Sequence, residues 1–208
     1  MTIIVHHLES SRSQRILWML EELELSYEVR RYARDPKTML APPELAKVHP
    51  LGKSPVIEDG DCVVAETGAI VEYLVQKANG RLGPPAHRQL VLRYRHLLHY
   101  AEGSLMPPLL VMLVIRRLGL LGRPARAMIQ RMIDGHLDYL EGELAGSDWF
   151  VGDGLTAADI MLSFPLEAAR QRAGLDASRP RLIGWLERIH ARPAYRRALE
   201  AGGPYAYA

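Results

Sequence analysis

The sequence has little cysteine and little net charge, and each scarcity excludes a class of protein. Its 208 residues include one cysteine, Cys62, which cannot close an intramolecular disulfide, and no Cys/His spacing resembles a zinc site. Lys and Arg number 26 against 24 Asp and Glu, and this near-balance disfavours a strongly basic nucleic-acid binder and a disordered acidic tail. We therefore expect a globular protein with no metal, no disulfide framework and no nucleic-acid partner.

Long apolar runs are also missing. The longest uncharged apolar stretch, residues 103–115, contains two prolines and is well short of the ~20 residues that a membrane-spanning helix needs. It predicts a buried helix, so we expect no membrane partner. The first five residues carry neither a basic segment nor a small-residue cleavage site, which argues against a secretory signal and favours a cytoplasmic location.

Two kinds of hydrophobic pattern divide the chain. Residues 1–80 combine short β-branched runs and helical spacings in the order β-α-β, irregular connection, β-β-α, with a hairpin at Asp59-Gly60. After a Gly/Pro-rich linker at 81–86, strand signals stop. Residues 87–208 are predicted to form an all-α helical-bundle domain. Its helices are expected at about 86–118 with a kink at Pro107-Pro108, 125–144, 157–172 and 182–191.

The segment Thr156 to Asp159 has the spacing of a capping box. A threonine three residues before a carboxylate lets the hydroxyl and the carboxylate satisfy exposed amides at a helix start. We expect a structural role for this pair and no part in catalysis.

Three serines follow the first predicted strand and precede the first helix. Ser10, Ser11 and Ser13 would lie where unpaired helix amides and the positive end of the helix dipole favour an anion. One serine acting simply as a helix cap explains the same spacing.

Two further segments could bind a polar ligand. In Ser54-Pro55-Val56 a proline precedes a strand, and the local sequence favours a trans bond because only ~5% of X-Pro bonds are cis. Glu66-Thr67 begins a helix, where a carboxylate, a hydroxyl and free amides could hold a ligand or merely cap the helix.

Taken together, these three segments, at these spacings, resemble the glutathione transferase superfamily. The resemblance covers nearly the whole chain. The string SSRSQRILWMLEEL is similar to that of serine-type bacterial and fungal members. The resemblance implies an α/β thioredoxin-like N-terminal domain that binds glutathione, followed by the all-α helical-bundle domain. It also implies a homodimer in which one chain's first domain lies against the other's helices.

The resemblance implies roles for polar residues of the first domain. Pro55 matches the family's cis-proline, whose neighbours Ser54 and Val56 place backbone groups beside the cysteinyl part of glutathione. The pair Glu66-Thr67 matches the acid and hydroxyl that bind the γ-glutamyl group. The glycyl carboxylate and the thiolate have further candidate partners: Lys53 and His49 for the carboxylate, although His49 could equally face solvent, and Arg12 for the thiolate.

The resemblance also implies a mechanism in which a hydroxyl stabilises the glutathione thiolate. Ser11 aligns best with that hydroxyl, and Ser10 and Ser13 remain alternatives. Tyrosine-type members carry theirs at the end of strand one, where this chain has His6-His7, and the thiol of cysteine-type members is absent. The serine would act as a hydrogen-bond donor to the sulfur and not as a nucleophile.

The expected reaction adds glutathione, a co-substrate, to a small hydrophobic electrophile, with no tightly bound cofactor. The electrophile is expected between the domains, against the first long helix, where Tyr100, Met106 and Leu110 are candidates for an apolar wall. The alternative is that most of the three are plain core residues. Two alternatives stay open: a glutathione-dependent peroxidase, and a non-catalytic binding module that keeps the fold.

Overall fold

A computed structural model describes residues 2–207. Met1 and Ala208, the outer ends of the two predicted domains, lie outside the described residues. The strands are β1 (Ile3–Leu8), β2 (Tyr27–Tyr32), β3 (Val56–Asp59) and β4 (Cys62–Ala65). The α-helices are α1 (Ser13–Glu22), α2 (Leu45–Val48), α3 (Thr67–Lys77), α4 (Arg88–Tyr100), α5 (Met106–Arg117), α6 (Arg123–Glu143), α7 (Ala157–Arg172), α8 (Pro180–His190) and α9 (Pro193–Gly202).

The four strands form one mixed sheet in the order β2-β1-β3-β4. Strand β1 pairs with β2 in parallel and with β3 antiparallel, and β3 pairs antiparallel with β4. Ile3 and Val5 of the central strand are fully buried, and Gly60 supplies the positive φ, 62°, of the predicted hairpin turn. The α/β first domain and its order of elements confirm the prediction from sequence.

The chain divides into two compact units, one of them discontinuous. The first contains Met1–Gly83 and His190–Ala208, and the second contains Pro84–Ile189. The sequence pattern predicts that all of 87–208 belongs to the helical domain, whereas in the structure the last segment belongs to the first unit. The difference arises because α9, which was not among the predicted helices, packs against α1.

Side chains of both helices form the α1–α9 contact. The rings of Trp18 and Tyr195 meet edge to face with centroids 5.4 Å apart. At the rim, the Arg192 guanidinium donates to both carboxylate oxygens of Glu22, at 2.5 and 2.8 Å. A sequence signal for α9 was present, since Pro193 begins the helix and glycines end it.

The second unit contains helices and connecting loops but no strand among its described residues, and α7 is its most buried helix. Residues Ala157–Ala169 of α7 are all buried. The predicted capping box is confirmed at its start: Thr156 N–H and Oγ1 both donate to Asp159 Oδ2, at 3.0 and 2.8 Å. Asp159 Oδ1 also accepts the Phe150 N–H at 3.0 Å. The carboxylate therefore connects the preceding loop to the helix.

The first long helix is irregular just before the prolines at which a kink was predicted. A π-helical segment, Ala101–Leu105, separates α4 from α5, and the prolines occupy the first turn of α5. Proline lacks an N–H and clashes with the preceding turn, so the irregularity lies upstream of it. In the described part of the chain, one helical stretch, Arg88–Arg117, is long and apolar enough to cross a membrane. Half of its most apolar 18-residue segment is buried inside the protein, and the core helices of soluble proteins can have the same length and composition.

Candidate functional site

The strand register brings the three polar segments to one edge of the sheet. His6 of β1 lies opposite Val56, the first residue of β3, and Val56 lies opposite Ala65, the last residue of β4. The loop after β1, the Ser54-Pro55 step and Glu66 therefore reach the sheet at the same edge. Helices α1 and α3 both begin there, so two sets of free helix amides add positive potential.

The Ser54-Pro55 bond is cis, as the family resemblance implied and contrary to the preference from local sequence. The Ser54 hydroxyl donates to the His6 carbonyl at 2.8 Å and accepts the Leu8 N–H at 3.3 Å. Pro55 and Val56 are buried. The serine side chain thus fastens this step to β1.

The three loop serines have different surroundings. Ser11 and Ser13 are buried, with their Oγ atoms 2.8 Å apart, and Ser11 Oγ also accepts the Ser13 N–H at 3.2 Å. Ser10 is half-buried with a positive φ of 46°, and its Oγ accepts the Ala206 N–H at 3.2 Å. Ser11 thus lies one residue before Arg12, the N-cap of α1, and its hydroxyl belongs to a hydrogen-bonded pair with Ser13. Arg12, which follows it, is half-buried.

His7, for which the sequence patterns predict no role, extends this pair into the sheet. Its Nδ1 lies 2.9 Å from Ser13 Oγ. Burial, reinforced by the nearby Arg31 charge, lowers the pKa of His7 from 6.5 to about 4, and a hydrogen bond with the Gly202 backbone opposes this shift. The imidazole is therefore neutral at physiological pH. The sequence signal was a histidine at an inward position of β1, in alternation with Ile3 and Val5.

Glu66 and Thr67 form the turn from β4 into α3. Glu66 is exposed and has φ 71° and ψ 126°, a strained conformation for a residue with a side chain, while Thr67 is buried. The Glu66 side chain makes no capping bond to α3. A carboxylate beside free helix amides suits a ligand that carries both an ammonium and a carboxylate.

Comparison with known proteins follows the same division of the chain. Residues 2–76 match the Glutathione S-transferase, N-terminal domain, and residues 123–188 match the Glutathione S-transferase, C-terminal domain. Glutathione S-transferase 3 of Schizosaccharomyces pombe is 34% identical over 95% of this chain and 87% of its own length. The chain belongs to the glutathione transferase family. It is accordingly a glutathione transferase by relationship and by fold.

Two solved structures extend the likeness of this glutathione transferase to three dimensions. A glutathione S-transferase from Actinobacillus pleuropneumoniae has a TM-score of 0.86 at 36% identity, over 96% of this chain and 92% of that one. A family member from Pseudomonas fluorescens with two glutathione bound has a TM-score of 0.81 at 26% identity, over the same shares of the two chains.

The remaining residues expected to bind glutathione in this transferase lie before Ser54. Lys53 is exposed. His49 is half-buried, and its Nδ1 accepts the Leu51 N–H at 3.4 Å. Lys53 directly precedes Ser54, and His49 lies a short connection further upstream.

The three side chains expected to line the electrophile site of the transferase differ in exposure. Met106 is buried, and so is Tyr100, whose hydroxyl lies 2.6 Å from His136 Nδ1. Burial raises the pKa of Tyr100 well above 10. Leu110 is 42% exposed. Tyr100 and Met106 thus belong to the core of the helical unit, and Leu110 alone of the three presents a large accessible surface.

No cluster of three or more His, Cys, Asp or Glu suited to a metal ion occurs among residues 2–207.

Proposed function

We propose that this chain binds glutathione at the sheet edge described above, stabilises its thiolate through Ser11, and transfers the sulfur to a small hydrophobic electrophile. The observation that carries this proposal is the strand register, which gathers the serine loop, the Pro55 step and Glu66 beside two helix N-termini. The glutathione bound to the Pseudomonas fluorescens family member supports the same ligand.

Each part of the tripeptide has a complementary group at this edge. The γ-glutamyl ammonium would pair with Glu66, and its carboxylate would accept from Thr67 and the amides that begin α3. Backbone groups beside Pro55 and Val56 would hold the cysteinyl part. The glycyl carboxylate would reach Lys53 and His49.

The thiol is activated by charge stabilisation. A free thiol has a pKa of ~8.5, so only a few per cent is thiolate at neutral pH. A hydrogen bond from Ser11, with the positive end of α1 and the Arg12 charge, would lower that pKa; a drop of ~2 units, about 2.7 kcal/mol, makes the thiolate predominant. The thiol proton leaves to solvent.

The hydrogen-bond network favours Ser11 over its neighbours. The Ser13 hydroxyl has two acceptors besides Ser11: the Leu8 carbonyl at 3.3 Å and, with the proton of neutral His7 assigned to Nε2 on the side of the Gly202 backbone, His7 Nδ1 at 2.9 Å. Ser11 Oγ is held in place by the Ser13 N–H. Its own proton is therefore free to turn from Ser13 to a bound sulfur without movement of the oxygen.

The thiolate then forms a carbon–sulfur bond with the electrophile. In displacement, the leaving group departs with the bonding electron pair; in addition, the electron pair of the attacked π bond takes up a proton. Family membership supports a cytoplasmic homodimer with a role in detoxification.

Single-serine variants test this proposal. Ser11→Ala should retain glutathione binding, raise the pKa of the bound thiol, and lower kcat/KM for a model electrophile about 10- to 100-fold, the effect of one hydrogen bond to a charged group. Ser10→Ala is the matched control and should leave both quantities near wild type.

Three outcomes would contradict the proposal. An unshifted thiol pKa with neither transfer nor peroxide turnover indicates a binding module. Peroxide turnover that exceeds transfer indicates a peroxidase. A silent Ser11→Ala beside an inactive but folded Ser10→Ala or Ser13→Ala assigns the hydroxyl to another serine.

A further inference from the structure

The turn between α5 and α6 exposes an apolar surface far larger than its length suggests. Three leucines, which we call the leucine tip, lie within four residues: Leu118 is 51% exposed, Leu120 71% and Leu121 84%. Scattered exposed leucines are normal on protein surfaces, but neighbouring ones on a single turn form a patch. Such a patch indicates an interaction surface.

Two glycines hold the leucine tip in this exposed position. Gly119, which follows the end of α5 by two residues, has a φ of 57°, and this favours a residue without a side chain. A Cβ atom on Gly122 would lie 2.2 Å from the Ile115 carbonyl oxygen, so the start of α6 packs directly on the end of α5. The turn is therefore closely packed beneath the leucines, and they cannot fold back into that space.

Positive charge surrounds the leucine tip. Four exposed arginines flank it on both sides: Arg116, Arg117, Arg123 and Arg126. The sequence from 103 to 133 contains no aspartate or glutamate. Arg116, Arg123 and Arg126 also line a groove of about 320 Å³ together with Leu120. An anionic group in that groove would lie directly beside the apolar patch.

We propose that the leucine tip docks this protein on the surface of an anionic phospholipid membrane. The leucines would enter the boundary between headgroups and acyl chains, and the arginines would bind lipid phosphates. This is peripheral attachment by one turn, and it differs from the expectation from sequence that the chain has no membrane partner. It is independent of the glutathione site, which belongs to the other unit.

Other occupants fit the tip less well. Two copies related by a twofold axis would bring the same arginines face to face, which costs affinity. A nucleic acid would meet the positive charge, but aliphatic leucines offer no stacking platform for bases. A lipid surface satisfies the leucines and the arginines together.

Vesicle co-sedimentation tests the proposal on the full-length protein. Phosphatidylcholine vesicles that contain phosphatidylglycerol should bind it, and vesicles of phosphatidylcholine alone should bind it much less. Leu120→Ser/Leu121→Ser should weaken binding at least about tenfold, since each leucine loses its apolar burial. Arg116→Gln/Arg123→Gln should weaken binding to the anionic vesicles by about fivefold per arginine, and added salt should act in the same direction.

Matched controls separate a specific surface from general stickiness. Met39→Ser/Leu40→Ser removes an adjacent pair of exposed apolar residues in the first unit, and Arg95→Gln/Arg196→Gln removes two exposed arginines elsewhere. Both control variants should bind vesicles like wild type. Retained glutathione binding and an unchanged circular dichroism spectrum would show that each tip variant is folded.

Absence of anion-dependent binding would overturn the proposal, and so would equal losses in the tip and control variants. It would likewise be overturned if the tip variants bound vesicles normally and instead changed the oligomeric state in light scattering. That last result would assign the leucine tip to a contact between copies of the chain.

Discussion

At the scale of single residues, the candidate site contains two buried serine hydroxyls in a hydrogen-bonded chain that ends at a histidine. His7 takes the end of a chain that runs through Ser13 to Ser11, with links of 2.9 and 2.8 Å. The same face of β1 otherwise carries aliphatic residues such as Val5. A polar side chain in that position is costly unless hydrogen-bonded, and the contact with Ser13 Oγ supplies a hydrogen bond for it.

The low pKa of His7 predicts that acid destabilises the folded protein. The unfolded chain gains a proton near pH 6.5, whereas folded His7 gains one only near pH 4. The stability from neutral His7 is therefore complete above pH 6.5 and is lost as pH falls toward 4, by about 2 kcal/mol between pH 7 and pH 5. Urea unfolding of wild type and His7→Gln at both pH values measures it. If the free energy of unfolding depends equally on pH in the two proteins, the lowered pKa of folded His7 is refuted.

At the scale of elements, the capping box of α7 connects a loop to the most buried helix of the second unit. Asp159 receives bonds from Thr156 and from the Phe150 N–H. Burial raises the pKa of Asp159, against the opposite effect of these hydrogen bonds. The Asp159 side chain therefore joins the preceding loop to the start of α7, and its removal leaves the buried amides of Phe150 and Thr156 without an acceptor.

Substitutions in the capping box should separate the capping of α7 from the hydrogen bond to the Phe150 amide. Thr156→Ala removes one cap bond and should lower the free energy of unfolding by about 1 kcal/mol. Asp159→Ala also orphans the Phe150 amide and should cost more, about 2–4 kcal/mol. Exposed Asp153→Ala, from the same loop, is the control and should change little. Denaturant unfolding gives all three values, and equal costs for Thr156→Ala and Asp159→Ala would contradict the role given to Phe150.

At the scale of the whole molecule, the first unit is completed by the end of the chain. Helix α9 covers α1, so the thioredoxin-like unit joins residues separated by more than a hundred positions. The buried ring of Tyr195 on Trp18 forms the apolar part of this contact. The pair between Arg197 and Glu21 lies at its exposed rim.

The apolar part and the charged rim of the α1–α9 contact should contribute unequally to the stability of the first unit. Tyr195→Ala removes buried aromatic area and should destabilise the first unit by about 3–5 kcal/mol. Arg197→Ala breaks an exposed ion pair that solvent screens and should cost far less than Tyr195→Ala. Hydrogen exchange of α1 amides reports on this unit directly. A larger loss of protection in Arg197→Ala than in Tyr195→Ala would contradict the proposed division.

The sequence by itself determined the class of the fold, because hydrophobic period, turn residues and caps are local properties. The β-α-β and β-β-α order, the Asp59-Gly60 hairpin and the Thr156–Asp159 box follow from such signals. Only the tertiary structure decided which partners those elements meet. The placement of α9 on α1, the burial of Tyr100, the link from Ser13 to His7 and the exposure of the leucine tip are contacts or missing contacts between distant residues. Local patterns specify an apolar face or a hydroxyl, but the fold determines what covers that face and where the proton points.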